Sequence, residues 1–178
     1  MGGGAVAVQY REKELPRGEM VKVARKLRKI CSGKALFIIN DLVDVALEVG
    51  ADGVHLGQGD MDLKEARRIL GPGKVIGVTV HDVAEAVKAE EDGADYVGAS
   101  PIFATTTKPD AGEPAGLKLI KDIKARVSIL VAAIGGINES NIDSVIEAGA
   151  DMACAISATV ASDDIKSAVK YFAGKWTG

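Results

Sequence analysis

The groups best suited to chemistry in this sequence concentrate in "SPIFATTTKPDAG", Ser100 to Gly112, where an apolar run gives way to Thr105, Thr106, Thr107 and Lys108. Hydroxyls, backbone N–H groups and an ammonium are what holds a phosphate or diphosphate. A polar surface loop would have the same composition, so the stretch does not decide alone. Earlier in the chain, "QYREK" supplies Gln9, Arg11 and Lys13. Arg11 and Lys13 lie two apart, so on a strand they point the same way, although a solvated charge run reads alike. "FIIND" ends in Asn40 and Asp41, and "GQGD" ends in Asp60. Carboxylates combined with phosphate oxygens and water are how proteins hold magnesium. Each Asp also precedes a helical segment, where N-capping is the competing role. "GVTVHD" adds Thr79 and His81, "AIGG" adds Gly135 and Gly136, and "AIS" adds Ile156 and Ser157. Glycine there lets backbone N–H groups approach an anion closely.

These residues follow one another through a repeating framework. Seven short apolar runs, "AVAVQY", "ALFIIN", "GVHLG", "KVIGVTV", "YVGASPI", "ILVAAIG" and "MACAIS", read as parallel strands buried on both faces. Amphipathic segments such as "PRGEMVKVARKLRKIC", "MDLKEARRIL", "HDVAEAVKAEEDG" and "INESNIDSVIEAG" read as the helices between them. "GAD" recurs at Gly50–Asp52, Gly93–Asp95 and Gly149–Asp151, each time before a strand, which predicts a repeated helix-to-strand turn. Alternating βα units without a long linker predict a single (β/α)8-type TIM barrel domain over residues 1–178, with seven units visible. An open doubly wound sheet is the rival, but no GxGxxG follows the first strand.

In a barrel, the strands' C-terminal ends converge on one rim, and the unusual polar residues fall at those ends. The pattern therefore predicts two anion stations. One is cationic, with Arg11, Lys13, Lys108 and a metal at Asp41 and Asp60. The other is built from Thr105, Thr107, Gly136, Ser157 and backbone N–H groups. Two phosphorylated substrates, or one long one, would fill them. His55 reads as a packed strand histidine, and His81 as a rim residue able to line the site. No Ser/His/Asp grouping suggests a hydrolytic triad. No lysine sits in a clearly apolar setting of the kind a Schiff base needs.

Bulk properties agree with a small-molecule enzyme. The 178 residues are 47% hydrophobic and 26% charged, with a net charge of -3, so the basic footprint of a nucleic-acid binder is absent. Cys31 and Cys154 lie far apart in apolar settings and read as small buried hydrophobes. No apolar run approaches the roughly 20 residues of a membrane span, and no signal peptide is legible at the N-terminus. A cytoplasmic location without membrane association is expected.

In order and spacing, "VQYREKE", "FIINDLVDVALEVGADGVHLGQGDM", "GVTVHD", "SPIFATTTKPDAG", "AIGGIN" and "AISA" resemble the thiamine-phosphate synthase (thiamine-phosphate pyrophosphorylase) family over nearly the whole chain. The resemblance implies magnesium-dependent condensation of a hydroxymethylpyrimidine diphosphate with a thiazole phosphate, giving thiamine monophosphate and pyrophosphate. It implies a pyrimidine diphosphate held by Gln9, Tyr10, Arg11, Glu12, Lys13, Asn40 and Lys108, with magnesium on Asp41 and Asp60. It places Thr79 where serine is usual, with its hydroxyl kept. It surrounds the thiazole phosphate with Thr105, Thr106, Thr107, Gly136, Ile156 and Ser157. The residues expected to act in catalysis are Lys108, Arg11, Lys13 and Thr79.

One departure is visible. Family members usually begin with a further strand and helix, and "GGGAVAVQYREK" corresponds to their second strand. A misassigned start or truncation, a barrel closed by a partner subunit in a homo-oligomer, and a chain without activity are the explanations this leaves. Two other functions compete: a non-catalytic barrel that binds thiazole or thiamine phosphate, and a thiazole tautomerase, which needs no diphosphate.

Overall fold

The computed structural model describes residues 2–107 and 112–176. Seven strands form one sheet in consecutive order: β1 (Ala7–Tyr10), β2 (Leu36–Asn40), β3 (Gly53–Leu56), β4 (Val75–Val80), β5 (Tyr96–Ala99), β6 (Leu130–Ile134) and β7 (Met152–Cys154). Every neighbouring pair is parallel. The intervening helices are α1 (Arg17–Cys31), α2 (Val43–Val49), α3 (Leu63–Leu70), α4 (Val83–Glu91), α5 (Gly116–Lys124) and α6 (Ile142–Glu147), and α7 (Ile165–Gly174) follows β7. This is a curled, TIM-barrel-like α/β sheet. Two expected strands end early: β5 stops before the cis Ser100–Pro101 peptide, and β7 stops at Cys154.

Alternation sorts the side chains. Phe37, Ile39, Val54, Leu56, Ile76, Val78, Val97, Ala99, Val131 and Ala133 point outward to the helices and are buried. Helix residues such as Ala24, Val43, Ala46, Ala66, Ala86, Ile120 and Val145 join them in one core cluster. The opposite, inner face carries Gln9, Asn40, His55, Thr79, Tyr96 and Cys154, as the strand registers require.

The repeated "GAD" is structural. Gly50, Gly93 and Gly149 have φ of 65°, 95° and 96°, the left-handed conformation that closes a helix. The Ala after each donates back to the helix: Ala51 to Ala46, Ala94 to Ala89 and Ala150 to Val145. Each Asp then accepts the N–H of the second residue of the preceding strand: Asp52 from Phe37 at 2.8 Å, Asp95 from Ile76 at 2.7 Å and Asp151 from Val131 at 2.8 Å. Arg28, Arg67 and Lys124 neutralise these carboxylates at 3.1, 2.7 and 2.8 Å. The same turn therefore ties helix, strand and neighbouring strand together at the end remote from the rim.

Residues 2–4 run against α7. A Cβ on Gly3 would lie 2.7 Å from the Val169 Cβ and 2.8 Å from the Lys166 carbonyl oxygen. Only glycine permits that approach.

Asp52→Ala would leave the buried Phe37 N–H without its acceptor. It is expected to cost about 1–3 kcal/mol in urea unfolding. An unchanged unfolding midpoint would contradict the role assigned to this turn.

Candidate active site

The rim begins with Asp41. Its φ of 62° is the only positive value at a non-glycine among the described residues. Its N–H donates to the His55 carbonyl at 2.8 Å, and Leu42 N–H closes a three-residue turn onto the Asn40 carbonyl at 2.8 Å. This strained backbone sends the chain off β2 sharply and keeps the Asp41 carboxylate largely covered, at 13% exposure. Lys13 Nζ forms an ion pair with Asp41 Oδ2.

Asp60 lies beside Asp41, within hydrogen-bonding reach of its carboxyl. Its Oδ2 accepts from Gly57 N–H at 2.7 Å. Burial pushes the Asp60 carboxyl above the usual range and the Asp41 carboxyl adds to that push, while the Gly57 N–H and Lys13 pull it down. Two carboxylates in contact want either a shared proton or a cation. Neither caps a helix. The N-cap of α2 is Leu42, with no side-chain bond, and that of α3 is Asp62, which accepts from Lys64 and Glu65 N–H. The capping alternative therefore fails for both.

The donors fit magnesium. Both are hard oxygen ligands at the rim, and two carboxylates leave positions for water and substrate oxygens, which is how this ion is usually held. Among the described residues no cluster of three or more His, Cys, Asp or Glu could hold a metal, so other ligands to such an ion would come from outside that set.

The remaining "QYREK" residues divide. Gln9 is exposed on the inner face, and Arg11 is exposed without a partner among the described residues. Glu12 does not face a ligand. Its Oε1 accepts from Lys13, Glu14 and Leu15 N–H at 2.8, 2.7 and 3.1 Å, which folds the loop carrying both cations. Those bonds lower its pKa, the one from Glu14 most. Tyr10 points outward against the core, with its hydroxyl buried and unpartnered among the described residues. The structure thus does not bring Tyr10 or Glu12 to the inner face. Asn40 makes only a long contact, 3.5 Å, to the His55 carbonyl, which leaves its amide largely uncommitted.

The threonine loop sits on the "IGG" turn. Ile102 and Phe103 N–H donate to the Ile134 and Gly135 carbonyls at 2.8 and 3.1 Å, and Thr107 N–H reaches Thr105 Oγ1 at 3.3 Å. Gly136, with φ of 64°, lies so close that a Cβ would stand 2.5 Å from the Ala104 carbonyl oxygen. A cavity of about 310 Å3 results, lined by Ala104, Thr105, Thr106, Thr107, Gly136, Asn138 and Ser157. Its described lining mixes hydroxyl and amide groups with apolar surface and carries no charged side chain. Ile156 is 46% exposed and stands outside it. Lys108 lies outside the described residues.

Thr79 is half-buried at the end of β4 and touches His55. His81 turns onto Glu85, Nδ1 to Oε2 3.0 Å, in the first turn of α4. Two contributors were not singled out from sequence. Asn138 lines the cavity, and Gln58 donates to the Thr79 carbonyl at 2.6 Å. Asn138 lies in "GGIN", and its amide beside a glycine turn was the available signal.

The sequence profile of the family described as "Thiamine monophosphate synthase" matches residues 1–159. The chain belongs to the thiamine-phosphate synthase family. It is an enzyme of the transferase class. The thiamine-phosphate synthase of Methanosarcina mazei is 54% identical over 169 residues, which cover 95% of this chain and 70% of that protein. The one from Methanosarcina barkeri is also 54% identical, covering 95% and 77%. Among solved structures, thiamine phosphate pyrophosphorylase from Pyrococcus furiosus superposes with a TM-score of 0.90 at 39% identity, over 99% of this chain and 87% of that one. A 3-hexulose-6-phosphate synthase, at 19% identity and a TM-score of 0.74, shares the fold alone. No helix among the described residues is long and apolar enough to cross a membrane.

A raised Asp60 pKa means that metal-free protein binds a proton more tightly folded than unfolded. Stability is then lost as pH rises through that raised value. Asp60→Asn is therefore expected to raise the metal-free Tm at pH 7, because it removes a charge that burial and the Asp41 carboxyl both disfavour. The gain should shrink toward pH 4. A variant that melts lower than wild type at pH 7 would contradict the paired-carboxylate account.

Proposed function

We propose that the chain joins 4-amino-5-hydroxymethyl-2-methylpyrimidine diphosphate to a thiazole phosphate, releasing pyrophosphate and forming thiamine monophosphate. The observation that carries this reading is the pairing of Asp41 with Asp60 beside Lys13, on a rim that also holds a separate cavity lined by hydroxyls and an amide. A protein that only bound a thiazole phosphate would need the cavity and not the carboxylates.

In this reading the pyrimidine methylene–oxygen bond breaks, and its electron pair leaves on the diphosphate. The thiazole nitrogen then donates its lone pair to the methylene carbon. No base is required. What the protein must supply is neutralisation of the departing charge and alignment of the two substrates. Asp41 and Asp60 would hold magnesium, which when bound supplies a positive charge against the diphosphate. Arg11, Lys13 and Lys108 add cationic donors to the same group, and Lys13 already stands at the carboxylates. Gln9 and Asn40 offer amides to the pyrimidine from the inner face. Thr105, Thr106, Thr107, Asn138 and Ser157 offer hydroxyl, amide and backbone donors to the thiazole phosphate. Gly136 keeps the cavity floor open.

We also infer a homo-oligomer. Val6, Leu36 and Leu130 are 71%, 44% and 50% exposed at the ends of strands remote from the rim, and a partner subunit would cover them. Light scattering at micromolar concentration is expected to give more than one chain's mass, and a monomer would overturn this.

The activity is tested by mixing protein with both phosphorylated substrates and magnesium and following thiamine monophosphate as fluorescent thiochrome. Product that vanishes with chelator is expected. Asp41→Ala should remove turnover, by about 100-fold or more, while keeping the fold. Thermal stabilisation by the thiazole phosphate without any product would mean a binding barrel instead. Gly136→Ala should weaken thiazole phosphate while leaving diphosphate binding intact.

A further inference from the structure

The inner face holds three side chains in one line of hydrogen bonds. His55 on β3 is 4% exposed. Its Nδ1 lies 2.8 Å from the Tyr96 hydroxyl on β5, and its Nε2 lies 2.8 Å from Thr79 Oγ1 on β4. Two glycines make the room. A Cβ on Gly77 would stand 2.0 Å from Tyr96 Cζ, and one on Gly98 would stand 3.1 Å from His55 Cε1. Two inner-face positions thus carry no side chain, and three others can meet.

The direction of the chain follows from what each group can donate. A neutral imidazole has one donor nitrogen and one acceptor nitrogen. Burial pushes the Tyr96 phenol well above its ordinary pKa, so it keeps its proton. Among the described residues, the hydrogen-bond partner of that hydroxyl is His55 Nδ1. A proton on Nδ1 would leave a buried phenol without an acceptor, a cost of about 1–3 kcal/mol. Satisfying the network therefore assigns the proton to Nε2. Tyr96 donates to Nδ1, Nε2–H donates to Thr79 Oγ1, and the Thr79 hydroxyl proton is left to point elsewhere. Thr79 is half-buried at the C-terminal end of its strand, on the face that also carries Gln9 and Asn40.

We propose that Tyr96 and His55 are positioning residues that hold Thr79 as a hydrogen-bond donor toward the diphosphate of the pyrimidine substrate. The inference rests on the function proposed above. A donor aimed in advance strengthens as negative charge builds on the leaving oxygen, and it needs no reorganisation at that moment. With Nε2 already donating, Thr79 cannot spend its proton on the imidazole. The Thr79 methyl further restricts rotation of the hydroxyl.

Tyr96→Phe tests this, because the ring still fills the slot beside Gly77 while the donor is lost. Either imidazole nitrogen can then carry the proton, and Thr79 can donate to Nε2. The expected result is a fall in kcat of about tenfold, the low end for losing an orienting partner, with KM for both substrates nearly constant. Thr79→Val should lose as much, and Thr79→Ser should keep most of the rate. The Tyr96→Phe/Thr79→Val double variant should be no slower than Thr79→Val alone, whereas losses that multiply would overturn the coupling. Nitrogen-15 NMR of His55 in the wild-type protein should report the Nε2-protonated tautomer, and Tyr96→Phe should give a mixture. An Nδ1-protonated imidazole in the wild type would overturn the assignment directly. If the wild-type protein makes no product, the failure belongs to the proposed reaction, and the NMR result still decides the direction of the hydrogen bonds.

Discussion

In a parallel sheet successive side chains leave on opposite faces, so register decides which residues can meet. Here the registers His55 to Gly77 and Gly77 to Tyr96 place a histidine, a glycine and a tyrosine in one inner layer. The register Thr79 to Gly98 places the next layer above it. A slip of one residue would turn His55, Thr79 and Tyr96 into the helix-packed core and expose Val54, Val78 and Val97 instead. The burial of those valines holds the register, and the "GAD" aspartates fasten β2, β4 and β6 near their first residues at the far end. The stabilising end and the chemical end of the sheet are thus separate. Rim residues can be held in unfavourable arrangements because they do not carry the fold.

Two such arrangements lie next to each other. Asp41 has a left-handed backbone and a carboxylate largely out of water, and Asp60 is pressed against it. Both features are costly to a fold and useful to a site. A strained turn aims the carboxylate away from the helix it would otherwise cap. Mutual repulsion raises the gain from a bound cation. Lys13 neutralises part of that charge, and the Glu12 carboxylate shapes its loop by collecting three N–H groups. On the other side of the rim, the threonine cavity relies on neutral donors and on glycine's lack of a side chain. One rim therefore presents two kinds of anion chemistry, charge-based and dipole-based.

Much of this was legible in the sequence, for local reasons. Seven Val- and Ile-rich runs mark seven strands because buried parallel strands are apolar on both faces. "GAD" marks a turn because only glycine suits its conformation at little cost. Where polar residues sit at strand ends is a matter of order, which sequence carries directly. Tyr10 and Glu12 show the limit. Both belong to a stretch that resembles a substrate-binding motif, yet alternation sends Tyr10 outward and local N–H groups occupy Glu12. Asp41 and Asp60 could equally have been caps, and only the three-dimensional position of Leu42 and Asp62 decides against that. The line from Tyr96 through His55 to Thr79 was invisible, because it joins three strands across 41 residues of chain and depends on two glycines that have no chemistry of their own.

The central claim is that the Asp41–Asp60 end of the rim takes a diphosphate together with magnesium. Isothermal titration of pyrophosphate into the protein, with and without magnesium and with Asp41→Asn in parallel, tests it most directly. The account predicts binding at least about tenfold tighter with magnesium, and no magnesium effect in the variant. Equal affinity with and without the metal, or a variant that retains the full magnesium effect, would contradict it.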